Sequence, residues 1–192
     1  ISLGFSNKIV KRNNAKINDD IYITGNLGDS YLGLKYLQKN NYNRNIYKKY
    51  FINKFYLPMI NLNFSKYLTK IANTSIDISD GLLIDLNKMT NNQNISSEIY
   101  YDKIPISNKL KIFLRKNSQK KSKFVFNGDD YQILFTAKKS KRHNIDKISK
   151  ITETKISRIG RIIPKKKFKF CLLKGDKALK LTKMPGYEHF FA

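Results

Sequence analysis

The sequence has 192 residues, of which 41% are hydrophobic, and this composition excludes an intrinsically disordered chain. It contains no apolar run near the ~20 residues that a membrane-spanning helix requires, so we expect no membrane partner. The single cysteine, Cys171, excludes an internal disulfide and is typical of proteins in a reducing cytoplasm, where we expect the protein to act.

The formal net charge of +24 has two explanations that the sequence leaves open. A strongly basic chain can bind the phosphates of a nucleic acid. Alternatively, the sequence is rich in Lys, Asn and Ile throughout, and the charge is a general compositional bias. Because Lys is spread along the whole chain and forms no single stripe, we favour the second explanation and expect no nucleic-acid partner.

Three windows contain no Lys or Arg, namely 19–34, 71–87 and 124–137. They hold eight of the 14 acidic residues. Buried segments exclude Lys, but burial alone does not explain the surplus of Asp, since a buried carboxylate is also unfavourable. The windows therefore predict sites at which a positively charged side chain would be harmful.

The predicted elements alternate between strands and helices, which predicts an α/β or α+β layer fold. No zinc-ligand spacing and no P-loop is present. In chain order the sequence predicts a strand at 21–24, a helix from Asp29, a helix at 64–72, a strand at 75–78, a helix after Gly81, a strand at 97–101, a basic helix at 107–116, a strand at 131–136, a solvated helix or loop at 138–150, and two strands at 156–163 and 168–173 joined around Pro164.

The first motif that could carry chemistry is Asp77-Ile78-Ser79-Asp80-Gly81. It places two carboxylates and a hydroxyl at a strand-to-helix junction, and Mg²⁺ prefers such hard oxygen ligands. The alternative is structural: Asp80 would cap the helix and Asp77 would be a turn residue. Spacing alone does not decide between them.

Two further motifs have similar structural alternatives. Asn127-Gly128-Asp129-Asp130-Tyr131 brings a sharp turn and two acids before a strand, but it could be a simple Asx-turn. Gly186-Tyr187-Glu188-His189-Phe190 could place an aromatic ring over a ligand, or it could anchor the C-terminus.

Taken together and in order, these stretches resemble the thiamine-monophosphate kinases of the aminoimidazole-ribonucleotide-synthetase-like superfamily. The resemblance rests on D-I-S-D-G-L with D-L following, G-D-D-Y, the ending G-Y-E-H-F, and the earlier stretch R-N-N-A-K-I-N-D-D-I-Y-I-T-G-N-L-G-D-S-Y-L-G-L. It extends from about Ile9 to Phe190. Sister families share the fold but not this combination of motifs.

The resemblance implies the C-terminal domain of that fold, a mixed sheet with helices packed on it. We expect 1–18 to be a linker at the end of a missing N-terminal ATP-binding domain and 19–192 to be the C-terminal synthetase-like domain. It also implies an ATP- and Mg²⁺-dependent enzyme that phosphorylates thiamine monophosphate to thiamine diphosphate. We expect a homodimer when the protein is full length, and no activity from this chain alone.

The resemblance also assigns site residues, and none of them acts as a covalent nucleophile. Arg12 and Ser79 would contact ATP. Asp77 and Asp80 would each bind Mg²⁺. Asp129 and Tyr187 would contact the thiamine monophosphate.

The sequence departs from the family pattern at several positions. Asp129 and Gln132 each stand where the family has Glu, and Asn14 and Asn18 replace glycines. The family's P-x-P-R loop is reduced to 57–61, which lacks the Arg. These departures leave a second hypothesis open, namely a superfamily member that acts on a different small substrate.

Overall fold

The computed structural model describes residue 5, residues 8–38 and residues 46–179. This part of the chain forms a seven-stranded sheet with seven α-helices packed against it. The strands are β1 Asp20–Thr24, β2 Thr74–Ile78, β3 Ile95–Tyr100, β4 Gln132–Ala137, β5 Ile156–Pro164, β6 Phe170–Lys174 and β7 Lys177–Leu179. The helices are α1 Asp29–Gln38, α2 Ile46–Tyr56, α3 Leu62–Ile71, α4 Leu82–Met89, α5 Asn108–Lys116, α6 Ser122–Val125 and α7 Arg142–Ile151, with short 3-10 turns at Tyr101–Lys103 and Lys139–Lys141.

The strand order in the sheet is β2-β4-β1-β5-β3-β6-β7. All neighbours are antiparallel except β3 and β6, which run parallel. The predicted mixed sheet is therefore confirmed.

The helices cover the two faces of the sheet unequally. The larger core lies on one face and includes side chains of α1, α2, α4, α5 and α6. The smaller core lies on the other face and is formed with α3 and α7. Alternation along β1 explains the division, because Ile21 and Ile23 enter the larger core and Tyr22 enters the smaller one. None of the described helices combines the length and apolar character needed to cross a bilayer.

The two strands predicted around Pro164 are present, but they are not neighbours. β3 lies between β5 and β6. Polar contacts at the start of β3 fix this crossing, since the Ser96 hydroxyl donates to the Phe168 carbonyl and accepts from the Lys166 amide. The chain then continues parallel to β3 and pairs Phe170 with Ser97.

Antiparallel pairing of β2 with β4 positions the loops of interest. Ile78, the last residue of β2, pairs with Gln132, the first residue of β4. The segment that leaves β2 and the segment that enters β4 therefore meet at the same edge of the sheet.

Candidate functional site at the ends of β2 and β4

The junction between β2 and α4 carries three of the predicted site residues. Asp77 is exposed, and because Ile76 and Ile78 enter the larger core, its side chain points to the opposite face of the sheet. Ser79 and Asp80 are half-buried in the turn that follows. Gly81 ends this turn at φ 129°, a backbone conformation that side-chain-bearing residues rarely adopt.

Asp85, in the first turn of α4, holds the junction in place. Its Oδ2 accepts hydrogen bonds from the amides of Ser79, Asp80 and Gly81 at 2.9, 2.9 and 3.0 Å. Burial raises the pKa of Asp85, and the backbone hydrogen bonds and Lys88 only partly oppose the shift. The sequence motif includes this acid, but the sequence does not indicate its role as the acceptor of three loop amides.

Lys88, one turn further along α4, is a second residue that sequence analysis missed. Its ammonium donates to Asp80 Oδ2 and lies 3.4 Å from Asp85 Oδ1. The hydrogen bond to Asp80 raises the pKa of Lys88, so the amine is held in its charged form. Nothing in the spacing of residues 80 and 88 indicates this contact, which depends on how the turn folds back over α4.

The loop before β4 packs directly on the junction. The Asp129 amide donates to the Ser79 carbonyl at 2.9 Å, and the Tyr131 amide donates to the Ile78 carbonyl at 2.9 Å. Asp129 has φ 67° and is partly buried. Burial raises the pKa of Asp129, and the negative charge of Asp80 raises it further. The fold therefore brings Ser79, Asp80 and Asp129 into one polar cluster.

The neighbouring acid, Asp130, has a structural role. It is buried and its Oδ2 accepts from the Gly28 amide at 2.8 Å, before α1. Burial raises the pKa of Asp130 well above 3.8, although hydrogen bonds from Gly28 and Ser30 oppose the shift. The two acids of the loop thus point to different places, and only Asp129 faces the candidate site.

The fold does not bring Arg12 to this cluster. Arg12 is exposed, and the next residue, Asn13, donates its amide to the carbonyl of Met89 at the C-terminal end of α4. The eight residues of α4 separate that end from Asp80, by about 12 Å at the usual rise per residue. Tyr187, predicted to contact the substrate, lies outside the described residues.

The donor set fits a magnesium ion only in part. Within 8–38 and 46–179, no three side chains of His, Cys, Asp or Glu converge on one point that could enclose a metal. Mg²⁺ typically uses one or two carboxylates and completes its shell with water and substrate phosphates. Asp80 and Asp129 supply carboxylate oxygens of the right kind for such a partial shell.

Sequence comparison places these features in a family. No protein-family model matches the chain. The chain is 37% identical over 185 residues to the thiamine-monophosphate kinase of Buchnera aphidicola subsp. Acyrthosiphon pisum, covering 93% of this chain and 55% of that protein. It is 33% identical over 140 residues to the thiamine-monophosphate kinase of Aquifex aeolicus, covering 72% of this chain and 46% of that protein. The chain thus spans about half the length of the curated relatives it matches.

Solved structures agree with the sequence comparison. AaThiL complexed with AMPPCP and TMP superimposes with a TM-score of 0.79 at 29% identity, covering 95% of this chain and 55% of that chain. Thiamine-monophosphate kinase from Stenotrophomonas maltophilia K279a gives a TM-score of 0.78 at 25% identity, covering 86% of this chain and 53% of that chain. The hydrogenase maturation protein HypE of E. coli, at 11% identity and a TM-score of 0.70 over 94% of this chain and 54% of that chain, shows the shared fold alone. The chain has the aminoimidazole-ribonucleotide-synthetase-like fold and belongs to the thiamine-monophosphate kinase family.

Proposed function

We propose that this chain is the C-terminal part of an enzyme that transfers the γ-phosphate of ATP to thiamine monophosphate, giving thiamine diphosphate. The observation that carries the proposal is the convergence of Ser79, Asp80 and Asp129 on two loops joined backbone to backbone. A solved structure that contains an ATP analogue and TMP superimposes on 95% of this chain, and this supports the same substrates.

Phosphoryl transfer depends mainly on positioning and on neutralising phosphate charge, so the site needs ordered oxygen ligands more than a nucleophile. A bound Mg²⁺ would neutralise charge on the phosphates. Asp80 and Asp77 would hold such ions, on the two sides of the β2 terminus. The Ser79 hydroxyl would contact the nucleotide, and Asp129 would contact thiamine monophosphate across the loop interface.

The remaining assignments are part of the same proposal. Arg12 would contact the nucleotide and Tyr187 would pack on the thiamine group. We place 1–18, as a linker, at the end of an N-terminal ATP-binding domain and 19–192 in the C-terminal domain. The complete protein would be a cytoplasmic homodimer, and this chain alone would have no kinase activity.

The test is ADP formation that depends on thiamine monophosphate, measured with Mg²⁺-ATP on the complete protein. We expect Asp80→Asn and Asp77→Asn to lower kcat/KM by about a hundredfold or more, as removal of a charge-stabilising group commonly does. The matched control is Asp146→Asn, which removes an exposed carboxylate of α7 and should keep full activity.

Two outcomes would contradict the proposal. Full activity in Asp80→Asn would mean that the acidic turn does not serve catalysis. A folded wild-type protein without activity on thiamine monophosphate would instead indicate a different phosphate acceptor, as the Asp129 and 57–61 departures allow.

A further inference from the structure

A positively charged group already lies beside the carboxylates of Asp80 and Asp85. The ammonium of Lys88 contacts Asp80 Oδ2 and lies 3.4 Å from Asp85 Oδ1. The Asp80 and Asp85 side chains are 14% and 1% exposed, whereas that of Lys88 is 43% exposed. One side of the ammonium therefore faces two shielded carboxylates and the other side faces solvent.

The two oxygens of Asp85 have different surroundings. Oδ2 accepts all three amides of the turn, so it has no free capacity for a further strong ligand. Oδ1 is buried and receives no hydrogen bond within the described part of the chain. The Lys88 ammonium lies 3.4 Å from Oδ1 and offsets the negative charge of this oxygen, but it directs no N–H at the oxygen well enough to form a hydrogen bond. A buried carboxylate oxygen without a donor is costly, and its position beside the ammonium marks a place that suits a cation.

Two carboxylates face the single ammonium of Lys88. Its Nζ contacts Asp80 Oδ2 and lies 3.4 Å from Asp85 Oδ1. A divalent ion would balance two carboxylates better than a monovalent ammonium does.

We propose that Asp80 and Asp85 form a cation position that the Lys88 ammonium fills in the metal-free protein, and that a divalent ion binds at Asp80 only by displacing this ammonium. This inference rests on the proposed function, because it takes Asp80 to be a metal ligand. Lys88 can leave without refolding of the turn, since its flexible stem starts from α4 and nearly half of its side chain is exposed. Lys88 therefore sets the affinity of the site for metal.

The competing explanation is that Lys88 makes an ordinary surface ion pair with no bearing on metal. Lys88 and Asp85 are three residues apart on α4, a spacing at which such pairs contribute little. The two explanations differ in one measurable quantity, the affinity of the turn for a divalent ion. A surface pair would leave that affinity unchanged, whereas a competing ammonium would weaken it.

The experiment titrates the 192-residue chain with Mn²⁺ and follows free Mn²⁺ by electron paramagnetic resonance, so that no catalytic activity is required. Lys88→Met keeps the length of the side chain and removes its charge, and we expect it to bind Mn²⁺ about tenfold more tightly than wild type. Lys88→Arg keeps the charge, and its affinity should stay within about threefold of wild type. Every protein in the titration carries Asp77→Asn, which removes the second proposed ion, and adding Asp80→Asn should then abolish binding in either Lys88 background. Circular dichroism confirms that each variant is folded.

The outcomes separate the inference from the proposed function on which it rests. Equal or weaker binding by Lys88→Met, with a wild type that binds through Asp80, would overturn only the role of Lys88. Binding that survives Asp80→Asn, or no binding by either wild type or Lys88→Met, would overturn the metal site and the inference together. Binding by Lys88→Met alone, lost on adding Asp80→Asn, would support the inference in its strongest form.

Discussion

Gly128 lies so close to Ser79 that no side chain can be placed between them. A Cβ built on Gly128 would be 1.8 Å from the Ser79 carbonyl oxygen. The adjacent Asp129 amide donates to that same oxygen at 2.9 Å. The relative position of Ser79 and Asp129 is therefore set by main-chain contact and does not depend on their side chains.

The first prediction is that Gly128→Ala destabilises the fold and moves the loop. A methyl group cannot fit against the Ser79 carbonyl, so the backbone must shift, and we expect a loss of about 1 to 3 kcal/mol in the free energy of unfolding. Urea denaturation followed by circular dichroism measures this loss. By the proposed function, the KM of the complete protein for thiamine monophosphate should rise as well.

Gly175→Ala is the matched control for this prediction. Gly175 has φ 54°, and a Cβ built there meets nothing within 4 Å. Only the backbone preference opposes the methyl group, so we expect a smaller loss than in Gly128→Ala, about 1 kcal/mol, and an unchanged KM. Equal stability losses in the two variants would contradict close loop contact as the cause.

The second prediction concerns pH and the buried carboxyl of Asp130. Burial raises its pKa well above the ordinary 3.8, so the folded chain binds this proton more tightly than the unfolded chain. As pH rises from 3.8 through the raised pKa, the contribution of Asp130 to the free energy of unfolding should therefore fall. In Asp130→Asn this decline should be reduced, because the amide oxygen still accepts from Gly28 and carries no charge. Urea midpoints between about pH 4 and about pH 8 measure the slope, and equal slopes would contradict the assignment.

Local chemistry explains which parts of the fold could be predicted from the sequence. The β2–α4 junction is specified by Gly81 and by the alternation of Ile76 and Ile78, so its prediction is confirmed. The windows 71–87 and 124–137 supply the two loops that meet at the candidate site. Lys88 directly follows the first window and places its ammonium against Asp80, so a positive charge is not excluded there.

Long-range contacts explain what could not be predicted. β6 pairs with β3 and not with β5, and Ser96 donates across this junction to Phe168, more than 70 residues later in the chain. The clustering of Lys88 with Asp80 likewise appears only after the turn is folded. Helix α2 was missed because its mixed sequence has a single buried side chain, Phe51, so it lacks a clear amphipathic pattern.

The third prediction separates a buried ion pair from an exposed one. Arg142 makes two hydrogen bonds to Asp20, which is 1% exposed, while Arg161 pairs with Glu98, which is 20% exposed. We expect Arg142→Gln to lower the free energy of unfolding by about 1 to 3 kcal/mol, because it leaves a buried carboxylate with fewer donors. Arg161→Gln, with a similarly exposed arginine, should change it by under about 1 kcal/mol. Similar effects in the two variants would contradict the role of burial.

The ion pairs of Asp20 with Arg142 and Arg158 should also make the stability of the fold depend on pH in the acid range. Burial opposes the ionisation of Asp20, but hydrogen bonds and charge from Arg142 and Arg158 outweigh it and lower the pKa of Asp20 below 3.8. This contribution to stability is therefore present above pH 3.8 and is lost as the pH falls through the lowered pKa. Asp20→Asn should be less stable than wild type at neutral pH and should lose less stability in acid. An equal loss of stability with falling pH in wild type and Asp20→Asn would contradict this.

The last prediction is that Asp129→Asn stabilises the fold while it weakens the enzyme. Asp129 is partly buried beside Asp80, and both burial and that charge raise its pKa, so its ionised form is unfavourable. Asn removes the charge and tolerates the φ of 67°, and we expect a gain of about 0.5 to 1 kcal/mol near neutral pH. If Asp129 contacts the substrate, the KM for thiamine monophosphate should rise in the complete enzyme. Asp77→Asn, at an exposed position, should leave stability within about 0.5 kcal/mol. A less stable Asp129→Asn variant would show that the carboxylate serves the fold, and an unchanged KM would remove Asp129 from the substrate site.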